Sequence, residues 1–251
     1  MVIDLSGRKK EVLDLLTENA GITVAQISDR LNVSLVTIRS DLESLADSGY
    51  IVRTRGGGLP AYHPGILERQ KAMSAEKLRI ARAAADLVQE GDRIMIVAGT
   101  TTSLIPRFLL GKRDVHVVTN STLLLPYIRI NPSIDVTLVG GRFLASAEAV
   151  VGPIAIKELQ QFQVRLAFLG TDGFCGDGGF TAHQVEVAEV VKHMAQRAET
   201  RVLCVDSSKY GKAGFAHILP LTEVSTIISD NSLAPQDKAL LEKQSISVTL
   251  V

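Results

Sequence analysis

Apolar residues recur at intervals of three and four near the start of the chain and gather into short, nearly continuous runs beyond Gly91. From Thr23 to Leu31, Val24, Ile27 and Leu31 fall on one face of a helix. A second stripe, Ile38, Leu42 and Leu45, lies between Ser34 and Gly49. Between the two, Asn32 tolerates the left-handed backbone of a sharp turn and Val33 can plug that turn into the core. Ser34 suits the N-cap of the second helix and Gly49 the position just past its end. Tyr50 to Arg55 then alternates apolar and polar residues as a strand does, with Arg53 and Arg55 on one side. Two short helices meeting at a tight turn, followed by a glycine-ended strand, predict a winged helix-turn-helix over residues 1–60.

The stretch from Leu59 to Gln70 has two prolines, a glycine and no clear period, which marks a domain junction with a linker over 61–73. Ser74 to Glu90 reads as a helix with Leu78, Ala81, Ala85 and Val88 on one side. Strand-like runs follow at Arg93 to Val97, Val115 to Thr119, Asp135 to Val139, Val164 to Gly170, Arg201 to Asp206, Thr226 to Ser229 and Ile246 to Leu250. Helical stretches separate most of them, and continuous apolar strands alternating with helices imply a parallel sheet covered on both faces. The predicted class is α/β: an N-terminal winged helix-turn-helix and, over 74–251, a Rossmann-like, mainly parallel domain.

Composition narrows the class without naming a function. With 46% hydrophobic and 22% charged residues the chain is ordinary globular material, and a formal net charge of +0 implies no general attraction to nucleic acid or membrane. Cys175 and Cys204 lack CxxC spacing, and the histidines have no ligand-like spacing, so neither structural zinc nor a metal site is expected. The first residues do not read as a signal peptide and no apolar run approaches a membrane span, so a cytoplasmic protein without a membrane partner is expected.

Recognition helices present base-reading side chains near their N-termini, where Ser34, Thr37, Arg39 and Ser40 stand off the buried stripe. In the wing, Arg53 and Arg55 can meet phosphates, and Gly56, Gly57 and Gly58 allow close backbone approach. Residues 1–60 hold seven basic and eight acidic residues, so a bulk basic footprint is lacking and only Arg39, Arg53 and Arg55 supply one locally. A small helical unit for protein contacts is the alternative.

Ligands of parallel sheets bind at the carboxyl ends of the strands. Five such ends carry phosphate-compatible residues: Gly99-Thr100-Thr101-Thr102-Ser103, Thr119-Asn120-Ser121, Gly140-Gly141-Arg142, Gly170-Thr171-Asp172-Gly173 with Gly176-Asp177-Gly178-Gly179 beyond it, and Asp206-Ser207-Ser208-Lys209. Small hydroxyl residues opening a helix offer free N–H groups and the positive end of its dipole. Any strand-to-helix turn is rich in Gly, Ser and Thr, so plain turn chemistry is the alternative. Arg69, Lys71, Lys77, Arg79 and Arg82 cluster at the junction and are expected as solvated surface. Asp172, His183, Glu186, Glu189 and Lys209 include groups capable of acid–base work, which keeps open a sugar-phosphate isomerase or deaminase fused to a DNA-binding module.

The helix Ser34-x-x-Thr37-Ile38-Arg39-x-Asp41-Leu42 and the wing Arg53-x-x-Gly56-Gly57 resemble the N-terminal domain of the DeoR family of bacterial transcription regulators. Gly-Thr-Thr, Thr-Asn-Ser, Gly-Gly, Gly-x-Asp-Gly and Asp-Ser-Ser-Lys follow in that family's order, so the resemblance spans nearly the whole chain. It implies a repressor whose C-terminal domain, with the fold of ribose-5-phosphate isomerase and glucosamine-6-phosphate deaminase, binds a phosphorylated sugar as effector. By that analogy Gly99, Thr100, Thr101, Thr102 and Ser103 hold the phosphate; Asn120, Gly141, Asp172 and Lys209 surround the sugar; and Glu186 or Glu189 faces it. No cofactor is implied. The implied partners are double-stranded operator DNA and a second copy or more of the chain, as a homodimer or homotetramer. Two departures are visible: Ser40 stands where many members carry a second arginine, and Val97 where many carry an aspartate. The missing aspartate argues for binding without turnover.

Overall fold

The computed structural model describes residues 7–19, 21–176 and 178–251. The chain forms two compact units, Met1–Glu68 and Arg69–Val251.

The first unit holds helices α1 (Arg8–Glu18), α2 (Val24–Leu31) and α3 (Leu35–Asp47) and an antiparallel hairpin of β1 (Ile51–Thr54) and β2 (Gly57–Pro60). Local chemistry sets each boundary. Thr23 and Gln26 form a reciprocal capping box at the start of α2, and Asn32 takes φ 52 and ψ 47 at its end. The Ser34 hydroxyl accepts the Thr37 N–H at 3.1 Å. Past α3, the Gly49 N–H donates to the Ala46 carbonyl and the Tyr50 N–H to that of Leu45, both at 2.9 Å, which is a Schellman motif. The stripes meet in a core of Val12, Leu16, Ile27, Ile38, Leu42, Leu45 and Ile51. Asp41 lies on this buried face with only 4% exposure, and the Arg8 guanidinium grips both its oxygens, tying α1 to α3.

Helix α4 (Pro64–Lys71) occupies most of the stretch expected as an irregular linker. Its sequence has no strong period, but Pro64 suits a helix start and both Ile66 and Leu67 are buried. In the second unit, α5 (Ser74–Asp86) precedes the strands β3 (Arg93–Ile96), β4 (Val115–Thr119), β5 (Ile134–Leu138), β6 (Arg142–Leu144), β7 (Ala149–Val151), β8 (Val164–Leu169), β9 (Gly173–Cys175), β10 (Gly179–Ala182), β11 (Ala198–Cys204), β12 (Ala216–Leu219), β13 (Thr226–Ser229) and β14 (Ser247–Leu250). Among them lie α6 (Leu125–Ile128), α7 (Pro153–Leu159), α8 (Val185–Gln196) and α9 (Pro235–Glu242).

Seven strands form one parallel sheet in the order β14-β13-β11-β8-β3-β4-β5. They are the seven apolar runs read from the sequence. Alternate residues serve two cores: Ile94, Ile96, Leu166 and Phe168 pack with α5, while Met95, Val97, Ala167 and Leu169 pack with α7 and α8. A strand buried on both faces has no reason to alternate polar and apolar residues. Two small antiparallel sheets, β6-β7 and β12-β10-β9, were not read from the sequence. They are three- and four-residue strands, too short to show a period of two.

Among the described residues no helix is long and apolar enough to cross a membrane, and no group of three or more His, Cys, Asp or Glu could hold a metal.

Candidate functional site

In the first unit, Ser34, Leu35, Val36, Arg39, Ser40 and Glu43 are exposed on α3 and at its cap. Among the described residues no hydrogen bond or ion pair engages the Arg39 guanidinium, while Asp41, a possible local partner, is committed to Arg8. Thr37 is half-buried, and its hydroxyl lies 2.8 Å from that of Ser34, so it serves the cap as much as any outside contact. Val36 was not singled out from the sequence. It is 73% exposed, three and four residues before Arg39 and Ser40, and so shares their face. An exposed methyl-bearing side chain there suits contact with a thymine methyl.

The wing differs in detail from the sequence reading. β1 stops at Thr54, Thr54 pairs with Gly57, and Arg55-Gly56 form the two-residue turn. Arg55 therefore sits at the wing tip rather than beside Arg53 on a strand face. Both arginines are exposed.

In the second unit, the order of the parallel sheet reverses between β3 and β8: β4 and β5 extend to one side, and β11, β13 and β14 to the other. Such a switch point opens a crevice at the carboxyl ends of the strands. Gly99–Ser103 follows β3 and Gly170–Gly173 follows β8, so these two segments flank it. Asn120 and Gly141 follow the strands on one side, Lys209 the strand on the other.

Around Gly99, Thr102 is fully buried and its hydroxyl turns inward to the carbonyls of Val97 (2.8 Å) and Gly99 (3.3 Å). It braces the loop and is not free for a ligand. Among the described residues no hydrogen bond takes the backbone N–H of Gly99, Thr100 or Thr101, three successive donors of which the first two residues are half-buried and Thr101 is buried. The helix that follows, Thr102–Phe108, is a 3-10 helix containing Pro106 rather than the expected α-helix. Successive N–H groups, more than a helix dipole, are thus what this loop could offer an anion.

Asn120 is 1% exposed; its side-chain oxygen accepts the Ala98 N–H at 2.8 Å and its amide donates to the Val150 carbonyl at 3.2 Å. It holds the loop after β3 to β7, a positioning role where a sugar contact was expected. Gly141 has φ 142, and a Cβ there would come within 2.9 Å of the Val151 carbonyl oxygen, so no other residue fits without a shift. Arg142 donates to Glu186 at 2.8 Å, which joins the loop after β5 to the start of α8. Both side chains are about half exposed, so Glu186 is the glutamate bound into the loop framework. Asp172 accepts the His183 N–H at 2.9 Å through one oxygen. Lys209 is half-buried, and among the described residues no hydrogen bond or ion pair engages its ammonium. Asp177, in the glycine run beyond Asp172, lies outside the described residues.

Two site-building residues escaped the sequence reading. Asp230, fully buried after β13, accepts the Ser207 N–H (2.6 Å), the Ser207 hydroxyl (2.9 Å) and the Ser232 N–H (3.0 Å). Burial alone would push its carboxyl up, but the backbone and hydroxyl donors of Ser207 and Ser232 outweigh that and hold it below its ordinary value. It thereby fixes the turn that carries Lys209. The same rule that singled out the other strand ends points to it, since Asp230-Asn231-Ser232 directly follows an apolar strand. Lys77, expected on a solvated face, is 4% exposed. The buried face of α5 is Lys77, Ile80, Ala81, Ala84 and Ala85, not a stripe through Leu78.

Family comparison agrees with both halves of this geometry. Residues 8–59 match the model of the DeoR-like helix-turn-helix domain, and residues 72–231 that of the DeoR C terminal sensor domain. The HTH-type transcriptional repressor GlcR of Bacillus subtilis (strain 168) is 34% identical over 223 residues, 87% of this chain and 86% of that protein. The uncharacterized HTH-type transcriptional regulator YgbI of Escherichia coli (strain K12) is 31% identical over 245 residues, 96% of each chain. The HTH-type transcriptional regulator GlpR of Haloferax volcanii is likewise 31% identical over 96% of each chain. With family models matching both the helix-turn-helix and the sensor domain, and relatives that are transcriptional regulators along nearly their whole length, the protein is a DNA-binding transcriptional regulator rather than an enzyme, and the chain belongs to the DeoR family.

Proposed function

We propose that this regulator is a cytoplasmic repressor of a sugar-catabolic operon, and that a phosphorylated sugar controls its hold on operator DNA. The observation that carries the effector assignment is the run of three N–H groups, Gly99 to Thr101, without a partner among the described residues at the switch point of the parallel sheet. Such a run recognises a phosphate through backbone dipoles. Lys209 adds a cation and Asp172 an acceptor for sugar hydroxyls from neighbouring strand ends. The relatives named as repressors support the sign of regulation. A symmetric operator asks for a symmetric protein, so a homodimer or homotetramer is the working assembly.

A panel of phosphorylated sugars screened by thermal shift tests this reading. A true effector raises the unfolding midpoint, because it binds the native state. The same compound then changes operator affinity in a binding assay. A panel in which no phosphorylated sugar moves the midpoint removes the effector assignment. Turnover of the bound compound at ordinary enzymatic rates removes the sensor-only reading.

A further inference from the structure

Glu43 is an exposed carboxylate on α3 to which the folded unit gives no task. A helix turns by about 100° per residue, which sets Glu43 within about 20° of Val36 and about 40° of Arg39 around the axis of α3. It therefore stands near the middle of the exposed face that Val36, Arg39 and Ser40 form. Among the described residues no hydrogen bond or ion pair engages it. Arg39, one turn before it, is not joined to it, and Lys9, which reaches α3 from α1, donates to the Ser44 hydroxyl at 2.7 Å instead. The cap of α3 is the work of Ser34. The helix dipole disfavours acids toward the C-terminal end, where α3 carries no basic residue.

A carboxylate facing DNA is costly. The duplex carries one negative charge per about 1.7 Å of its axis. Residues 1–60, with seven basic and eight acidic residues, have no basic excess to offset the repulsion. What can offset it is a hydrogen-bond donor on a base edge. A carboxylate only accepts, which matches the amino group of cytosine; the amino group of adenine stands beside the N7 acceptor and suits an amide instead. Reach separates Glu43 from the next exposed acid on this face, Asp47. At 1.5 Å per residue Glu43 lies about 10 Å along the axis from Val36, and Asp47 about 16 Å. With a major groove about 12 Å wide, a straight helix seated by its N-terminal turns keeps Glu43 near the bases and carries Asp47 past them.

We propose that Glu43 is a specificity-determining residue of the reading helix: it accepts a hydrogen bond from the amino group of a cytosine in the operator, beside the bases met by Val36 and Arg39, and repels duplexes that lack that cytosine. The proposal rests on α3 as the reading helix and not on the effector assignment. Specificity is a difference of affinities, and a group that repels the wrong sequence widens it as much as one that attracts the right one.

The test needs neither a known operator nor an effector. The full chain is mixed with a library of duplexes carrying a randomised stretch, and the bound fraction is sequenced for the wild type, Glu43→Ala, Glu43→Gln and Asp47→Asn. The wild type should enrich a motif with a cytosine at one fixed position. Glu43→Ala should lose the preference at that position alone, by on the order of ten-fold, and keep the rest of the motif. Glu43→Gln should move it from cytosine to adenine, because an amide pairs with N6 and N7 of adenine. Asp47→Asn should bind all duplexes more tightly and keep the wild-type motif, since it removes a repelling charge that reads no base. An unchanged motif in both Glu43 variants, or a gain in affinity shared equally by all sequences, overturns the contact. So does a wild-type motif without a cytosine whose preference the variants lose. Melting curves accompany the selection: an exposed, unpaired Glu43 predicts unchanged midpoints, and a midpoint lowered in both Glu43 variants assigns the carboxylate to folding and overturns the proposal. A wild-type selection that enriches no motif removes α3 as the reading helix, a separate failure that leaves the phosphosugar thermal shift untouched.

Discussion

At the scale of single residues, what a side chain does is decided by whether its polar atoms are already spent. Arg39 and Thr102 show the contrast. Arg39 is exposed with no partner among the described residues, and Thr102 is buried with its hydroxyl on two carbonyls. Replacing Arg39 with Ala should weaken specific DNA binding by ~1–3 kcal/mol, the worth of a bidentate base contact, and leave the unfolding midpoint unchanged. A titration of labelled operator together with a melting curve checks both halves. For the effector site the informative position is Thr100, which is half-buried, rather than Thr101, which is 8% exposed and would bury an introduced charge. Thr100→Asp sets a carboxylate beside the three N–H groups that would otherwise meet a phosphate. The variant should fold and bind operator DNA but lose its phosphosugar thermal shift. A retained shift would place the anion site elsewhere.

At the scale of elements, the wing and the turn after β11 are each fixed by their neighbours, the one by the β1–β2 pairing and the other by Asp230. Arg53 on β1 and Arg55 at the tip should act on phosphates. The double Ala variant should then bind specific and non-specific DNA more weakly and lower the slope of log K against log salt by about one unit per lost contact. An unchanged slope would mean that the wing does not meet the backbone. The turn bearing Lys209 depends on Asp230. Asp230→Asn removes a charged acceptor from three donors and should cost about 1–3 kcal/mol of stability while also weakening effector binding. Because the folded-state pKa of Asp230 lies below the ordinary 3.8, its contribution is complete above that pH and is lost as pH falls through the lower folded value. Acid unfolding of the wild type should accordingly steepen below pH 3.8, and that component should be missing in Asp230→Asn. How readable these elements were from sequence varied with length. The caps Ser34 and Gly49 announced α3, since capping is local chemistry, whereas Thr23, read as the first residue of the helix, is the N-cap of α2. The strands of the β6-β7 hairpin have three residues each, shorter than any period they could display.

At the scale of the whole molecule, regulation is a free energy shared between two ligands. If a phosphosugar changes operator affinity by some factor, typically 5–150-fold, operator DNA must change phosphosugar affinity by the same factor. Calorimetry of the sugar with and without bound operator should return the factor found by DNA titration. Sedimentation at micromolar protein should show a dimer or tetramer; a strict monomer with full operator affinity would remove the symmetric-operator reading.

The sequence by itself determined the helix-turn-helix, the seven parallel strands and the segments at their carboxyl ends. Those features follow from periodicity, capping and doubly buried strands, which act over a few residues. The tertiary structure decided which polar groups are left free. Asn120 reads like a ligand contact but is bonded to Ala98 and Val150; Lys77 reads like surface but is buried on the carbonyls of Arg69 and Ala72; Asp41 is close to Arg39 in sequence, but its carboxylate is held by Arg8. Each partner lies on a different segment, as far as 33 residues away for Asp41 and 30 for Asn120. A buried polar group takes whichever partner the packed fold brings within hydrogen-bond reach, and only the folded chain sets that distance.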